Sequence, residues 1–314
     1  MTERHPISRS AIRNLQSAIC NPQSAILIIL LLAITVRLLP GPRTVDDAYI
    51  TFRYARNLVA GQGFVYNVGE RVLGTSTPLY TLLLAGLAWV TGWRDFPTLT
   101  LVVNALAGAA SVGLLYALGR RFAGHRAPAA AAALLWALAP YSVTIAIGGM
   151  ETDLTVALLL GAAYAHLSGR GRAMAALSAL AFLARPDAAI LLGLLWLDLA
   201  LARSSDGSQG RRRIRISWRE GLIALLLLAP WLIFGTLYFG SPFTGSVAAK
   251  SVAYRIPPLA DLVRLIQHYS TPFFEDALLG PRWRLIGFAV YLLLCGLGGL
   301  RAVRRNRRAW PLLA

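Results

Sequence analysis

Apolar residues in this chain come in long blocks, and polar residues gather in the short segments between them. The blocks run over Ala25–Leu39, Pro78–Val90, Thr98–Leu118, Pro128–Ile147, Leu154–Leu167, Ala173–Ala184, Ala188–Leu201, Leu222–Phe239 and Leu285–Leu300. A hydrocarbon core about 30 Å thick is crossed by roughly 20 helical residues, with a range of about 17 to 25. The shorter blocks reach that span only by borrowing flanking residues, tilting or thinning the bilayer. The pattern predicts an all-α polytopic membrane protein. Composition agrees: 56% of the 314 residues are hydrophobic and 14% charged, where soluble domains carry about 25% charged residues. So little charge cannot cover a water-facing surface, which excludes a soluble enzyme and a disordered regulator. Cys20 and Cys295 stand far apart in apolar settings, so neither a disulfide framework nor a metal site is expected.

Charge then sets the topology. The formal net charge is +17, and Lys250 is the sole lysine beside thirty arginines. Such an excess fits nucleic acid or a membrane, and the placement of the arginines selects the membrane and no nucleic acid. Nineteen of them fall in five segments: Arg4 to Arg13, Arg120 to Arg126, Arg170 and Arg172, Arg203 to Arg219, and Arg301 to Arg308. Positive residues in short loops stay cytoplasmic, so the chain crosses an even number of times between neighbouring segments. That parity requires one block between Arg13 and Arg120 not to cross. Pro78–Val90, whose 13 residues rise only about 20 Å, is read as interfacial or re-entrant. About eight spans remain, with both termini cytoplasmic, and ten of the fourteen acidic residues fall on the external side. Reading Ala173–Leu201 as one bent helix would instead put Arg203–Arg219 outside. Residues 1–24 form a cytoplasmic leader with a near-exact tandem repeat, Ile12-Arg-Asn-Leu-Gln-Ser-Ala18 and Ile19-Cys-Asn-Pro-Gln-Ser-Ala25. It lacks a small-residue cleavage site and reads as an anchor. Residues 25–314 form the transmembrane domain, with a first external loop over 40–97 and a last one over 240–284.

The first external loop contains Asp46-Asp47-Ala-Tyr49-Ile-Thr-Phe-Arg53-Tyr54-Ala-Arg56-Asn57, and later Gly74-Thr-Ser-Thr-Pro78. Thr44 or Asp46 is placed to cap a helix with an acidic start, as the helix dipole favours. Asp46, Ile50, Arg53 and Asn57 then share one helix face. A carboxylate and a guanidinium together there suit a phosphate-bearing substrate; a solvated helix with an internal ion pair has the same spacing. In the second segment, Gly148-Gly-Met-Glu151-Thr-Asp153, two acids approach membrane depth, where ionisable groups are costly. The same residues also make an ordinary helix start capped by Thr152. The third, Ala184-Arg185-Pro186-Asp187, is either a self-neutralising turn or a guanidinium facing phosphate. In the fourth, Ser241-Pro-Phe-Thr244 through Lys250, the lone lysine reads as a phosphate ligand or as an interfacial snorkelling residue. His125, His166 and His268 are isolated and read as structural or exposed. Arg37 and Asp198 are the obvious charges inside spans.

The run from Asp46 to Gly63, with Gly74-Thr-Ser-Thr-Pro78-Leu-Tyr80, resembles the start of bacterial GT-C glycosyltransferases. These are integral membrane enzymes that use polyprenyl-phosphate sugars. The likeness runs over roughly residues 26–255, is most specific at 46–80, and is nearest to the arabinofuranosyltransferases among them. It implies an inverting transfer on the external face, with Asp46 as general base. It implies substrate or phosphate contacts from Asp47, Tyr49, Arg53, Arg56, Glu151, Asp153, Arg185 and Lys250. Asp47 and Glu151 would orient substrate or hold a divalent metal ion; no other cofactor is implied. The partners would be a polyprenyl-phosphate sugar donor, membrane lipids, and a cell-envelope glycan, lipid or protein acceptor at the inner membrane. Phe243-Thr244 departs from the Asn-Thr more usual before the lysine run. Two other readings stand beside this one. One is a transporter or flippase, resting on Arg37 and Asp198. The other is a truncated relative that only binds a lipid-linked sugar, because Ala314 precedes the family's later helices.

Overall fold

The computed structural model describes residues 22–202, 218–244, 293–304 and 311. The leader, the arginine segment 203–217 and the run holding Lys250 lie outside the described residues. Among those described, the secondary structure is helical and contains no strand, as the block pattern predicts. The helices are α1 (Pro22–Leu38), α2 (Ala48–Val59), α3 (Pro78–Thr91), α4 (Phe96–Ala123) and α5 (Arg126–Leu138). Then come α6 (Pro140–Ile147), α7 (Thr152–Leu167), α8 (Gly171–Ala184), a 3-10 turn (Pro186–Ala188), α9 (Ala189–Ala202) and α10 (Trp218–Phe239). A further helix occupies 293–304.

By length and composition, α4 with 28 residues and α10 with 22 are long enough to cross a membrane. The α5–α6 pair makes a third if it counts as one span. The block 128–147 is thus two helices bent by 49° rather than one straight span. Pro140 causes the break: it has no N–H to donate and it forces Ala139 out of the helical region, to φ −58° and ψ 123°. Helix α3 has 14 residues, a rise of about 21 Å.

Helix α4 is the centre of the bundle, packed by α1, α5 and α7, while α8 joins α7 to α10. Small residues make these approaches close. Ala129, Ala133 and Ala137 form a fully buried stripe on α5, and lipid gives apolar side chains little reason to prefer each other, so backbone proximity and interhelical polar contacts hold such helices together. The outside of the bundle is apolar. Leu31, Leu135, Ile190, Leu226 and Leu237 are each more than half exposed, a surface that lipid covers and water would not.

Two buried polar side chains fix the bundle from within. Arg37 of α1 is completely buried; it donates to Ala33 O (3.0 Å), Ala137 O (3.2 Å) and Ser142 Oγ. Ala137 O belongs to the last turn of α5, whose carbonyls have no helical partner, so the guanidinium closes the break ahead of α6. Gly108 of α4 makes room for it: a Cβ there would lie 2.5 Å from Arg37 Nε. Asn104, also on α4 and fully buried, accepts from Tyr80 OH (2.9 Å) and donates to Ala146 O (3.0 Å) and Met150 O (2.9 Å). It thereby ties α3 and the end of α6 to the turn that enters α7.

The loops sort to two ends. One end gathers 43–51, 74–78, 147–153 and 184–188, through Val45 N to Gly148 O, Thr51 to Thr77 and Arg185 to Glu151. The other gathers arginine-flanked turns: Arg121 donates to Ser168 Oγ and Leu167 O, and Glu220 packs against Gly171.

Replacing Asn104 with Leu leaves a tyrosine hydroxyl and two carbonyls without their partner; a loss of about 2 kcal/mol is expected, seen as a lower Tm in detergent. Gly108→Ala is expected to cost about 1–3 kcal/mol by overpacking Arg37, in the same measurement.

Candidate functional site

The first loop is held against the second acidic segment by backbone pairing. Arg43 N donates to Ile147 O and Val45 N to Gly148 O, both at 2.9 Å. Gly149 adopts φ +79°, which only glycine takes at little cost, and a Cβ there would lie 2.9 Å from Thr44 Cγ2 and 3.1 Å from Phe52 Cζ. The backbone of the Gly-Gly turn is therefore the seat of the Asp46–Asp47 segment.

Helix α2 begins at Ala48, with Asp47 at the N-cap position and no side-chain cap bond. The expected cap from Thr44 or Asp46 is not made, because Thr44 Oγ1 donates instead to Tyr49 OH (3.0 Å). Asp46, Asp47 and Tyr49 are exposed. Both carboxylates precede the first turn, where the dipole still favours negative charge. Ile50, Arg53 and Asn57 follow one face of α2, as the spacing predicts, and Arg53 and Asn57 share Tyr66 O as acceptor, while Asp46 precedes the helix. Asn57 is buried and donates to Val65 O and Tyr66 O. Arg53 is exposed, lies over the Tyr66 ring and donates from Nε to Tyr66 O (3.0 Å). The loop that follows α2 folds back over these two residues, which the helical spacing could not anticipate. Arg56 is exposed.

Helix α2 also carries the Gly-Thr-Ser-Thr-Pro segment. The buried Tyr54 hydroxyl accepts from Gly74 N (2.7 Å), and its ionisation is pushed up chiefly by burial. Thr51 meets Thr77 (3.3 Å), and Thr77 meets Thr75 (3.0 Å). Next to this segment lies a cavity of about 340 Å³ bordered by Thr75, Ser76, Arg185, Asp187, Trp231 and Phe243, among others. Ligand pockets run from about 300 to 1,000 Å³, so this one suits a small head group. Trp231 is pinned by a bond from Nε1 to Pro242 O (3.2 Å) and packs against Phe64.

Arg185 is the charged centre of that wall. Its Nη1 donates to Glu151 Oε1 (3.1 Å), while Nε and Nη2 hold Asp187 with distances of 2.8–3.2 Å. The pair with Asp187 raises the guanidinium's hold on its proton, and Glu151 adds to this. Glu151 is buried at the start of α7, and burial raises its pKa against the opposing pull of Arg185. One oxygen of each acid, Glu151 Oε2 and Asp153 Oδ2, is buried without a hydrogen-bond partner among the described residues. Asp153 faces inward, within the field of Arg37.

The cavity wall includes neither Asp46 nor Glu151 among its residues; Glu151 reaches it through Arg185. Among the described residues no three His, Cys, Asp or Glu side chains come together as a metal ion would need. Asp47 is exposed at the N-cap, while Glu151 already has one oxygen on Arg185. Lys250 lies outside the described residues, although Phe243 and Thr244, just before its run, border the cavity.

Several residues that the structure engages escaped the sequence. Asn104 left a usable signal, a lone amide inside a long apolar block, where polar groups are rarely idle. Trp231 left none, being one tryptophan among eight. His166, read as isolated, is buried and meets Asp198 at 2.8 Å. Arg37 and Asp198, the basis of the transporter reading, are thus both engaged by helices of the bundle.

Comparison with known families gives no match, and no solved structure matches the chain. Among curated proteins, the chain is similar to the terminal beta-(1->2)-arabinofuranosyltransferase of Mycobacterium tuberculosis (strain ATCC 25618 / H37Rv). The two are 32% identical over 230 residues, 66% of this chain. The matched stretch spans 35% of the relative, about a third of its length. The chain is a distant homologue of an arabinofuranosyltransferase, in accord with the glycosyltransferase resemblance carried by residues 46–80.

Proposed function

We propose that this protein is a membrane glycosyltransferase that moves a sugar from a polyprenyl-phosphate donor to an extracytoplasmic glycan, lipid or protein acceptor, with inversion. The similarity favours an arabinofuranosyl group. The observation that carries the reading is that the Asp46–Asp47, Gly74–Pro78, Gly148–Asp153 and Arg185–Asp187 segments, separate in sequence, gather at one end of an apolar bundle. In this reading residues 25–314 cross the inner membrane about eight times, both termini are cytoplasmic, and that end faces outward.

Asp46 would take the proton of the acceptor hydroxyl as its oxygen attacks the anomeric carbon. General-base help of this kind needs hydrogen-bond reach to the acceptor, and exposed Asp46 at a helix N-terminus is open to one. The lipid phosphate departs as the bond to the sugar breaks, and cations are required to stabilise it. Arg185, set in the cavity wall, is the first candidate; Arg53, Arg56 and Lys250 are the others. Asp47, Tyr49, Glu151 and Asp153 would orient substrate and its cationic partners. The small cavity suits a glycosyl phosphate head, with the prenyl chain lying along the apolar exterior.

Asp46→Asn is expected to reduce transfer from a polyprenyl-phosphate arabinose by about 10²–10⁴-fold while leaving Tm unchanged. Full transfer by that variant would remove Asp46 from the mechanism. Substrate flux in proteoliposomes without any sugar transfer would favour a transporter instead.

A further inference from the structure

Arg185 meets two carboxylates, and the two differ in kind. Glu151 is fixed: its side chain is 3% exposed, it sits at the start of α7, and it holds Nη1. Asp187 is loose: its side chain is 58% exposed, it stands on a three-residue turn, and it occupies the Nε and Nη2 positions. Those two N–H groups form the parallel fork that a carboxylate or a phosphate can accept with two oxygens. With both acids ionised, the trio of Glu151, Arg185 and Asp187 carries one net negative charge. An incoming phosphate is therefore repelled unless a carboxylate leaves the fork.

We infer that the Nε/Nη2 edge of Arg185 is the phosphate-binding edge, and that Asp187 is the internal anion which the substrate's phosphate replaces. The inference rests on the reading of Arg185 as a phosphate ligand and adds which edge binds and which acid yields. Asp187 is the one to yield because an exposed ion pair is weakly held and its carboxylate finds water on release. Glu151 has no such exit; it stays on Nη1 and keeps the guanidinium plane turned toward the cavity. Arg185 and Asp187 both border that cavity, so a phosphate on the vacated edge would lie at its wall. Between substrates Asp187 screens the guanidinium from other anions.

The experiment measures binding of farnesyl phosphate, with farnesol as the uncharged control, to the full chain in detergent. Asp187→Ala is expected to tighten farnesyl phosphate about two- to fivefold, the worth of one exposed ion pair, and to leave farnesol unchanged. Arg185→Lys is expected to weaken farnesyl phosphate, and the double variant to lose the gain. Should Asp187→Ala fail to fold, Asp187→Asn keeps the shape and gives the same direction. Weaker or unchanged binding in the Asp187 variants, with Arg185→Lys still impaired, overturns the exchange and leaves the phosphate reading standing. Unchanged binding in Arg185→Lys overturns both.

Discussion

The amide of Asn104 is the contact on which the acid-rich end depends. Helix ends leave carbonyls without partners, and inside an apolar bundle no water is at hand to take them. Asn104 Nδ2 reaches both Ala146 O and Met150 O, while its Oδ1 takes the Tyr80 hydroxyl. One side chain on the central helix thus sets where α6 stops, how the Gly-Gly turn lies and where α7 starts. Glu151 hangs from that turn, and the Asp46 loop lies along it through Gly148 O and the open face of Gly149. Arg37 does the same service one level deeper, closing the break between α5 and α6 and facing Asp153.

These polar anchors matter more here than they would in a soluble core. Alanine and glycine faces let helices approach but say little about register. A buried arginine or asparagine has few positions in which its bonds are met, so each selects one arrangement. The anchors lie below the site and not within it. Asp46 and Asp187 stand in the exposed layer above them.

Much of this was legible along the chain. Apolar blocks located most helices to within a few residues and the turn at Pro186 is kept, whereas the block over 128–147 is split at Pro140. The four motif segments were identifiable because charge and glycine are conspicuous between apolar blocks. The helix face through Arg53 and Asn57 is kept, but Asp46 precedes the helix and the loop over 63–67 takes Arg53 and Asn57, which helical spacing does not foresee. At the Arg185–Asp187 turn the self-neutralising pair is present, and the guanidinium also borders a cavity.

The sequence by itself determined that the chain is helical and apolar, that it turns at Pro186, and which segments carry acid and arginine. These follow from local chemistry: hydropathy over a helix length, the missing proline N–H, charge that avoids lipid. Which segments meet was decided only by the tertiary structure. The joining of Glu151 to Arg185, Thr51 to Thr77 and Asn104 to Met150 depends on bonds between residues 26 to 46 positions apart. No local pattern encodes such pairings, because each exists only once the helices have packed and left a buried group with a single partner in reach.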